Sequence, residues 1–156
     1  MADFNSWEEL LAYAQSALTS VIENDVKLVI KSTMQQMINK DVYAVYTPTK
    51  YQRTGLLLSA IEGDITTTSD GVTLVVWDDA NQEGVNRGTV YIPEIIEYGH
   101  WKSQLGYEFP FIGYAKLGAY VYSRPFVEDT FDELEASGVI PYTVVNGLKS
   151  RGIQVE

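Results

Sequence analysis

The first quarter of the chain carries one apolar stripe with helical spacing, and this feature constrains the fold most. Ser6 followed by Glu9 has the spacing of a capping box, which predicts that a helix begins at Trp7. One long helix and two helices joined at Asn24-Asp25 both fit the stripe, since neither residue breaks a helix, and we favour one helix. The stripe runs to about Lys40 through apolar or small residues with helical spacing: Leu11, Ala14, Leu18, Val21, Ile22, Val26, Val29, Ile30, Thr33 and Met37.

The sequence pattern changes at Ile61 and predicts β-structure. The segment IEGDITTTSDGVTLVVWDD alternates β-branched residues around an Asp70-Gly71 turn, which is typical of an antiparallel hairpin. TVYIPEIIEYGHW is a further strand or a short helix, and YAKLGAYVYS is another strand. The segment RPFVEDTFDELEASG then predicts a helix that Pro125 opens and Gly138 ends, with Phe126, Phe131 and Leu134 on its buried face.

These elements predict an α+β fold in a single domain over residues 1–156. The expected architecture is a long N-terminal helix, a small antiparallel sheet of about four strands, and a C-terminal helix packed on that sheet. A chain of 156 residues is long enough to bury one real core.

Composition restricts the classes of function. No apolar run approaches the roughly 20 residues that a membrane span needs, so we expect a soluble protein that does not enter a membrane. The chain has no cysteine and no signal-peptide pattern at its start, which favours folding in a reducing cytoplasm. Its formal net charge is −10, and so acidic a chain is not expected to grip DNA, because affinity for DNA comes from Lys and Arg on phosphates.

Little in the sequence predicts catalysis, and we expect a protein that is not an enzyme and takes no cofactor. Glu94, Glu97 and His100 could serve a small hydrolase, but nothing completes a triad. Asp78-Asp79 and Glu83 could collect a divalent cation, although their spacing matches no calcium loop and a polar turn is the better interpretation.

Two clusters of side chains suggest contact surfaces. The aromatic residues Tyr107, Phe109, Phe111 and Tyr114 are either sheet core or a contact arm for another subunit. The acids of the final helix, Glu128, Asp129, Asp132 and Glu133, are either a solvated face or a surface that must repel a partner.

Three short segments in order resemble a known family. They are RTGLLLSAI at 53–61, IIEYG at 95–99 and SRPFVEDTF at 123–131. Together they resemble the tail-completion or head–tail joining proteins of long-tailed bacteriophages, small neck proteins with similar segments in the same order. Each segment alone is weak, and their joint occurrence carries the resemblance.

The resemblance implies that the motif residues build the fold and not an active site. Thr54 would cap a short helix, and Gly55 would allow a close approach of the backbone to another element. We also conjecture that Arg124 pairs with Glu97. The motif residues are Arg53, Thr54, Gly55, Glu97, Gly99, Arg124, Pro125 and Phe126.

By the same resemblance, the expected function is structural. The protein would form a ring, a hexamer in the family, that joins the head connector or stopper protein to the tail tube in the virion neck and lets DNA pass. The candidate lumen acids are Asp78, Asp79 and Glu83 together with the acids of the final helix. The alternatives from other classes are a small acidic hydrolase and a monomeric binding module that uses the aromatic segment.

Overall fold

The computed structural model describes three main parts of the chain, at its start, in its middle and at its end. The described residues are 4, 6–45, 54–84, 88–91, 93, 96–97 and 123–155, with the backbone alone at 81–84 and 88–91. Helical structure predominates among them, beside two short hairpins. In chain order the elements are α1 Trp7–Val21, a π-helical segment Ile22–Val26, α2 Lys27–Met37, a second π-helical segment Ile38–Tyr43, α3 Leu56–Ser59, β1 Ile61–Thr68, β2 Gly71–Asp78, β3 Asn81–Gly84, β4 Gly88–Tyr91, α4 Phe126–Ser137 and α5 Val139–Ser150.

The first four elements form one continuous helix, residues 7–43, which we call the spine. The residues at its internal junctions, Ile22, Lys27 and Ile38, all have right-handed helical backbone angles. At its start the Ser6 hydroxyl accepts a hydrogen bond from the Glu9 N–H at 3.2 Å, as the capping spacing predicts. The prediction of a long N-terminal helix is therefore confirmed. Its two π-helical turns were not predicted, because an i→i+5 turn has no composition of its own.

The prediction of a small sheet of about four strands is wrong. Within the described residues, β1 pairs only with β2 and β3 only with β4, each pair antiparallel, so the strands form two separate hairpins. The first hairpin lies against the spine, where the Lys27 ammonium donates to the Gly63 carbonyl at 2.7 Å and the Gln15 amide donates to the Thr68 carbonyl at 2.6 Å. By the register of the hairpin the Gly63 carbonyl points away from β2, so its bond to Lys27 takes one of the groups that a third strand beside β1 would need.

The expected packing of the C-terminal helix on the sheet is also wrong, because α4 packs against α2. Its buried residues, Phe126, Thr130 and Leu134, are spaced by four, whereas Phe131 is 68% exposed. A helix that packs on another helix buries a narrow stripe, and Phe131 lies outside that stripe. The predicted burial of Phe131 is therefore wrong, and the burial of Phe126 and Leu134 is confirmed.

A second C-terminal helix follows directly. Gly138 has φ +61°, in the left-handed region that favours glycine, so it ends α4 as predicted and begins α5 at once. Helix α5 packs against α1 and the first π-helical segment through Gly147, which lies against Val21.

The end of α5 is held to the spine by polar contacts. The Arg151 guanidinium lies 2.8 Å from the Asp25 carboxylate and 3.3 Å from the Ser20 hydroxyl, and the Tyr13 hydroxyl donates to the Arg151 carbonyl. The side chains of Arg151 and Asp25 are 27% and 36% exposed, so this ion pair alone adds little stability, and the contacts act together in holding α5 along the spine.

The core lies where the second half of the spine meets α3, the start of β1 and α4. The buried residues that form the core are Met34, Met37, Ile38, Val42, Leu57, Ile61, Ala80, Ile96 and Phe126.

None of the described helices is long and apolar enough to cross a lipid bilayer.

Candidate functional site

The structure joins two of the three sequence motifs at the start of α4. The Glu97 carboxylate accepts hydrogen bonds from the backbone N–H of Val127 at 3.0 Å and of Glu128 at 3.2 Å. Next to it, the backbone N–H of Arg124 donates to the Ile96 carbonyl at 2.8 Å. The first amides of a helix have no partner within the helix, so a carboxylate placed there caps it and also faces the positive end of its dipole. Glu97 is therefore a helix cap supplied from outside the helix.

Burial dominates the electrostatics of this junction. Loss of solvent raises the pKa of Glu97, the two amide hydrogen bonds oppose that rise, and the charges of Glu128 and Asp129 add to it. Burial also raises the pKa of Asp41 on the spine, with Lys40 lowering it and Asp129 raising it. The cluster is acidic, and among the described residues no group of His, Cys, Asp or Glu is arranged to hold a metal ion.

This geometry bears on the hydrolase alternative. A general base must offer a carboxylate oxygen to a substrate, but both oxygens of Glu97 already accept backbone hydrogen bonds. The other two residues of that alternative, Glu94 and His100, lie outside the described residues. The conjectured pairing of Glu97 with the Arg124 side chain stays a prediction.

The first motif forms a tight turn into α3. Gly55 has φ +76°, which explains why glycine stands there, and a Cβ at this position would have nothing within 4 Å. The expected close approach to another element is therefore not the reason for this glycine. The exposed Thr54 hydroxyl accepts from the Leu56 N–H at 3.3 Å, while Gly55 itself occupies the N-cap position. Arg53 lies outside the described residues.

The candidate lumen acids have different surroundings. Asp78 is only 3% exposed, its carboxylate accepts from the Ala80 N–H at 2.9 Å, and burial raises its pKa to about 6. Asp79 is exposed, and Glu83 is described by its backbone in β3 alone. On α4, Glu128, Asp132 and Glu133 are exposed and Asp129 is half-buried. Of the candidate acids whose side chains the structure describes, those of α4 and Asp79 meet solvent, with Asp129 only partly exposed, while the carboxylate of Asp78 is held inside the subunit.

Among the structural motif residues, Pro125 and Phe126 lie at the start of α4, and Phe126 is fully buried. Gly99 and the aromatic residues proposed as a subunit contact, Tyr107, Phe109, Phe111 and Tyr114, lie outside the described residues.

An open groove lies between α1 and the tip of the first hairpin. It has a volume of about 500 Å³ and is lined by Ala12, by one acid, Glu23, and by uncharged polar side chains of α1 and β1. No predicted site residue lies in it. The groove lies beside the Gln15 contact with Thr68.

Large apolar side chains are exposed on several separate elements, which sequence reasoning missed. The exposed fractions are 67% for Trp7 on α1, 67% for Leu28 on α2, 68% for Phe131 on α4 and 70% for Tyr142 on α5. The exposure of Phe131 could have been recognised from the sequence, because Phe131 lies one position outside the four-residue spacing of Phe126, Thr130 and Leu134. Single exposed apolar residues are common on protein surfaces, and these four lie on four different helices.

A variant of Glu97 tests the capping role. Glu97→Ala is expected to lower the free energy of unfolding by about 1 kcal/mol, because two backbone amides at the start of α4 lose their acceptor. Chemical denaturation measures the loss. Glu133→Ala, an exposed acid on the same helix, is the control and should change stability by less than about 0.5 kcal/mol. Equal stability of the two variants would contradict the capping role.

Comparison with known proteins gives one family. The family model described as YomN matches residues 6–150. A protein of Bacillus subtilis strain 168, described as an SPbeta prophage-derived uncharacterized protein YomN, is 32% identical over 148 residues, which cover 91% of each chain. No solved structure matches the chain.

Proposed function

The chain belongs to the YomN family, and from that premise we propose that it is a structural protein of a tailed phage that forms a ring in the neck of the particle. The description of the Bacillus subtilis relative as prophage-derived supports the phage context. The resemblance of three segments to tail-completion proteins supports the position between head connector and tail tube. In this role the protein has no active site and acts by assembling with neighbouring subunits and partner proteins.

The observation that carries the proposal is the distribution of exposed apolar side chains. A ring subunit touches one neighbour on each of two sides, and these two surfaces differ because each contact is heterologous. Exposed apolar side chains lie on the first hairpin and on the two C-terminal helices. Val75 and Trp77 of the hairpin are 56% and 38% exposed. Phe131 and Tyr142 are exposed on α4 and α5. A subunit with such surfaces is suited to contacts on more than one side.

The elements that carry these side chains contact different spine residues. The hairpin is bonded to Gln15 and Lys27, whereas α5 is held by Val21 and Asp25. In our proposal Phe131 and Tyr142 supply one side of the contact between neighbours. The exposed acids of α4 then lie beside that contact, where they face the hole of the ring and repel passing phosphates.

Assembly provides the test. Size-exclusion chromatography with light scattering is expected to show a species of about six subunits for the parent chain, or a mass that rises toward it with concentration. Phe131→Glu is expected to reduce the assembled fraction and to leave the circular dichroism spectrum of the folded subunit unchanged, because Phe131 is exposed in the subunit.

Ala136→Glu is the matched control, since it adds the same charge at another exposed position of α4 and should leave assembly unchanged. A parent chain that stays monomeric alone and in the presence of connector and tube proteins would contradict the ring. Assembly of Phe131→Glu equal to that of Ala136→Glu would remove Phe131 from the contact.

A further inference from the structure

The contact between the spine and α4 brings two carboxyl groups together. Asp41 lies in the second π-helical segment of the spine, Asp129 lies in the first turn of α4, and these two elements pack against each other. The carboxyl groups of Asp41 and Asp129 are within hydrogen-bonding range of each other. Two ionised carboxylates have only acceptor atoms, so a hydrogen bond between them requires a proton on one of the two.

The other charges at this contact do little to relieve the repulsion. In the described part of the chain they are Lys40 of the spine, Glu97, and Glu128 of α4. The Lys40 nitrogen lies 3.8 Å from Oδ1 of Asp41, but the Lys40 side chain is 68% exposed, so water screens much of its charge. Glu97 and Glu128 add negative charge. The acids at this contact therefore outnumber the nearby cation, which is itself exposed.

The positions of the two acids in their helices favour a proton on Asp41. Asp129 lies at the start of α4, where the positive end of the helix dipole favours a negative charge. Asp41 lies in the last turn of the spine, where the negative end of the dipole opposes one. The Asp41 side chain is only 16% exposed, and its Oδ2 atom is shut off from solvent with no donor among the described residues. An ionised Asp41 is therefore more costly here than a protonated one.

We propose that Asp41 keeps a proton in the folded protein and donates it to the Asp129 carboxylate, so that the contact between the spine and α4 depends on acidity. With the proton in place, the Asp41 hydroxyl bonds to a charged acceptor, which is a strong class of hydrogen bond. After its loss, two carboxylates repel each other across the contact, and α4 is held less firmly to the spine. The inference concerns contacts within one subunit and does not rest on the ring.

The direction of the effect follows from the surroundings of Asp41. Burial is the main cause that raises the pKa of Asp41, and the neighbouring Asp129 charge adds to it against the opposing charge of Lys40. A carboxyl group with a raised pKa binds its proton more tightly in the folded chain than in the unfolded chain. The stability that it contributes is complete below its unfolded pKa and is lost as the pH rises through its folded pKa. For Asp41 this loss occurs above its ordinary pKa of 3.8.

Exchange of Asp41 for asparagine tests the proposal. Asp41→Asn keeps the shape of the side chain, removes the charge, and offers an N–H donor to Asp129 at any pH. The urea midpoint of this variant is expected to lie above that of the parent at about pH 8, by a difference that shrinks toward about pH 5. Asp132→Asn, at an exposed position of α4, makes the same change in net charge and should follow the parent at both pH values. Asp78, whose pKa burial raises to about 6, is present in all these proteins and cancels from the comparison.

Carbon NMR of the side-chain carboxyl groups observes the proton directly in the parent chain. Asp41 is expected to titrate above 3.8, and its pKa should fall in Asp129→Asn, because the like charge is gone and the new amide favours an ionised Asp41. An Asp41 that titrates at or below its ordinary pKa in the parent would overturn the proposal, as would a pKa that does not change in Asp129→Asn. A midpoint of Asp41→Asn that is no higher than that of Asp132→Asn at about pH 8 would also overturn it.

Discussion

Phe126→Ala is expected to lower the free energy of unfolding by about 3–5 kcal/mol, the largest single-residue effect in the described part of the chain. Phe126 is fully buried, and it meets side chains from the spine, α3 and the start of β1 in one core. Its removal opens a cavity between elements that are not adjacent in sequence. Since small domains are stable by only about 5–15 kcal/mol, the variant should unfold at much lower denaturant concentration.

Phe131→Ala is the control for this variant, because it changes the same residue type on the same helix. Phe131 is 68% exposed, so we expect a change of less than about 0.5 kcal/mol. Urea unfolding followed by circular dichroism measures both. Comparable losses in the two variants would mean that α4 is rotated from the orientation described above.

Gly147→Ala is expected to destabilise the protein by about 1–3 kcal/mol, opposite to the usual effect of this exchange in a helix. Alanine normally stabilises a helix by about 1 kcal/mol relative to glycine. Here a Cβ at position 147 would lie 2.7 Å from a methyl group of Val21 and 2.9 Å from the Asp25 carboxylate. Val21 is fully buried and stiff, and Asp25 is held by Arg151, so neither side chain can give way cheaply.

A double-mutant cycle identifies the cause. Val21→Ala removes the methyl groups that a Cβ would meet, so Gly147→Ala should cost less in the Val21→Ala background than in the parent. Asn146→Ala changes the neighbouring exposed position of α5 and should leave stability nearly unchanged. Thermal melts of the five proteins measure the coupling. An increase in stability for Gly147→Ala in the parent would show that α5 lies farther from the spine.

Local signals in the sequence predicted the helices better than their packing. The capping spacing of Ser6 and Glu9 located the start of the spine, and Gly138 marked the end of α4. The partner of α4 could not be inferred in the same way, because helical spacing identifies an apolar face and not the element that covers it. The four-stranded sheet failed for a related reason: alternation predicts strands, whereas their pairing depends on polar contacts such as that of Lys27 with Gly63.

The Glu97 junction was predicted only in part. The sequence indicated that Glu97 and the segment around Arg124 and Phe126 belong to one framework, and the structure places them in contact. The expected contact of Glu97 with the Arg124 side chain stays a prediction, whereas the contacts of Glu97 with two backbone amides were not predicted. Backbone groups carry no sequence signal, so a carboxylate that caps a distant helix cannot be recognised from residue spacing.

The two π-helical turns of the spine have a consequence for how the chain tolerates changes in length. In each of them a backbone N–H reaches back five residues, from Lys27 to Ile22 and from Ala44 to Asn39, so each turn accommodates one residue more than a regular turn. Deleting one residue elsewhere in a helix rotates everything beyond it by about 100°. Deleting one within 22–26 would instead restore regular winding and leave Met34, Met37 and Ile38 facing the same way. Single-residue gaps between relatives of this chain are therefore expected to fall at these two turns.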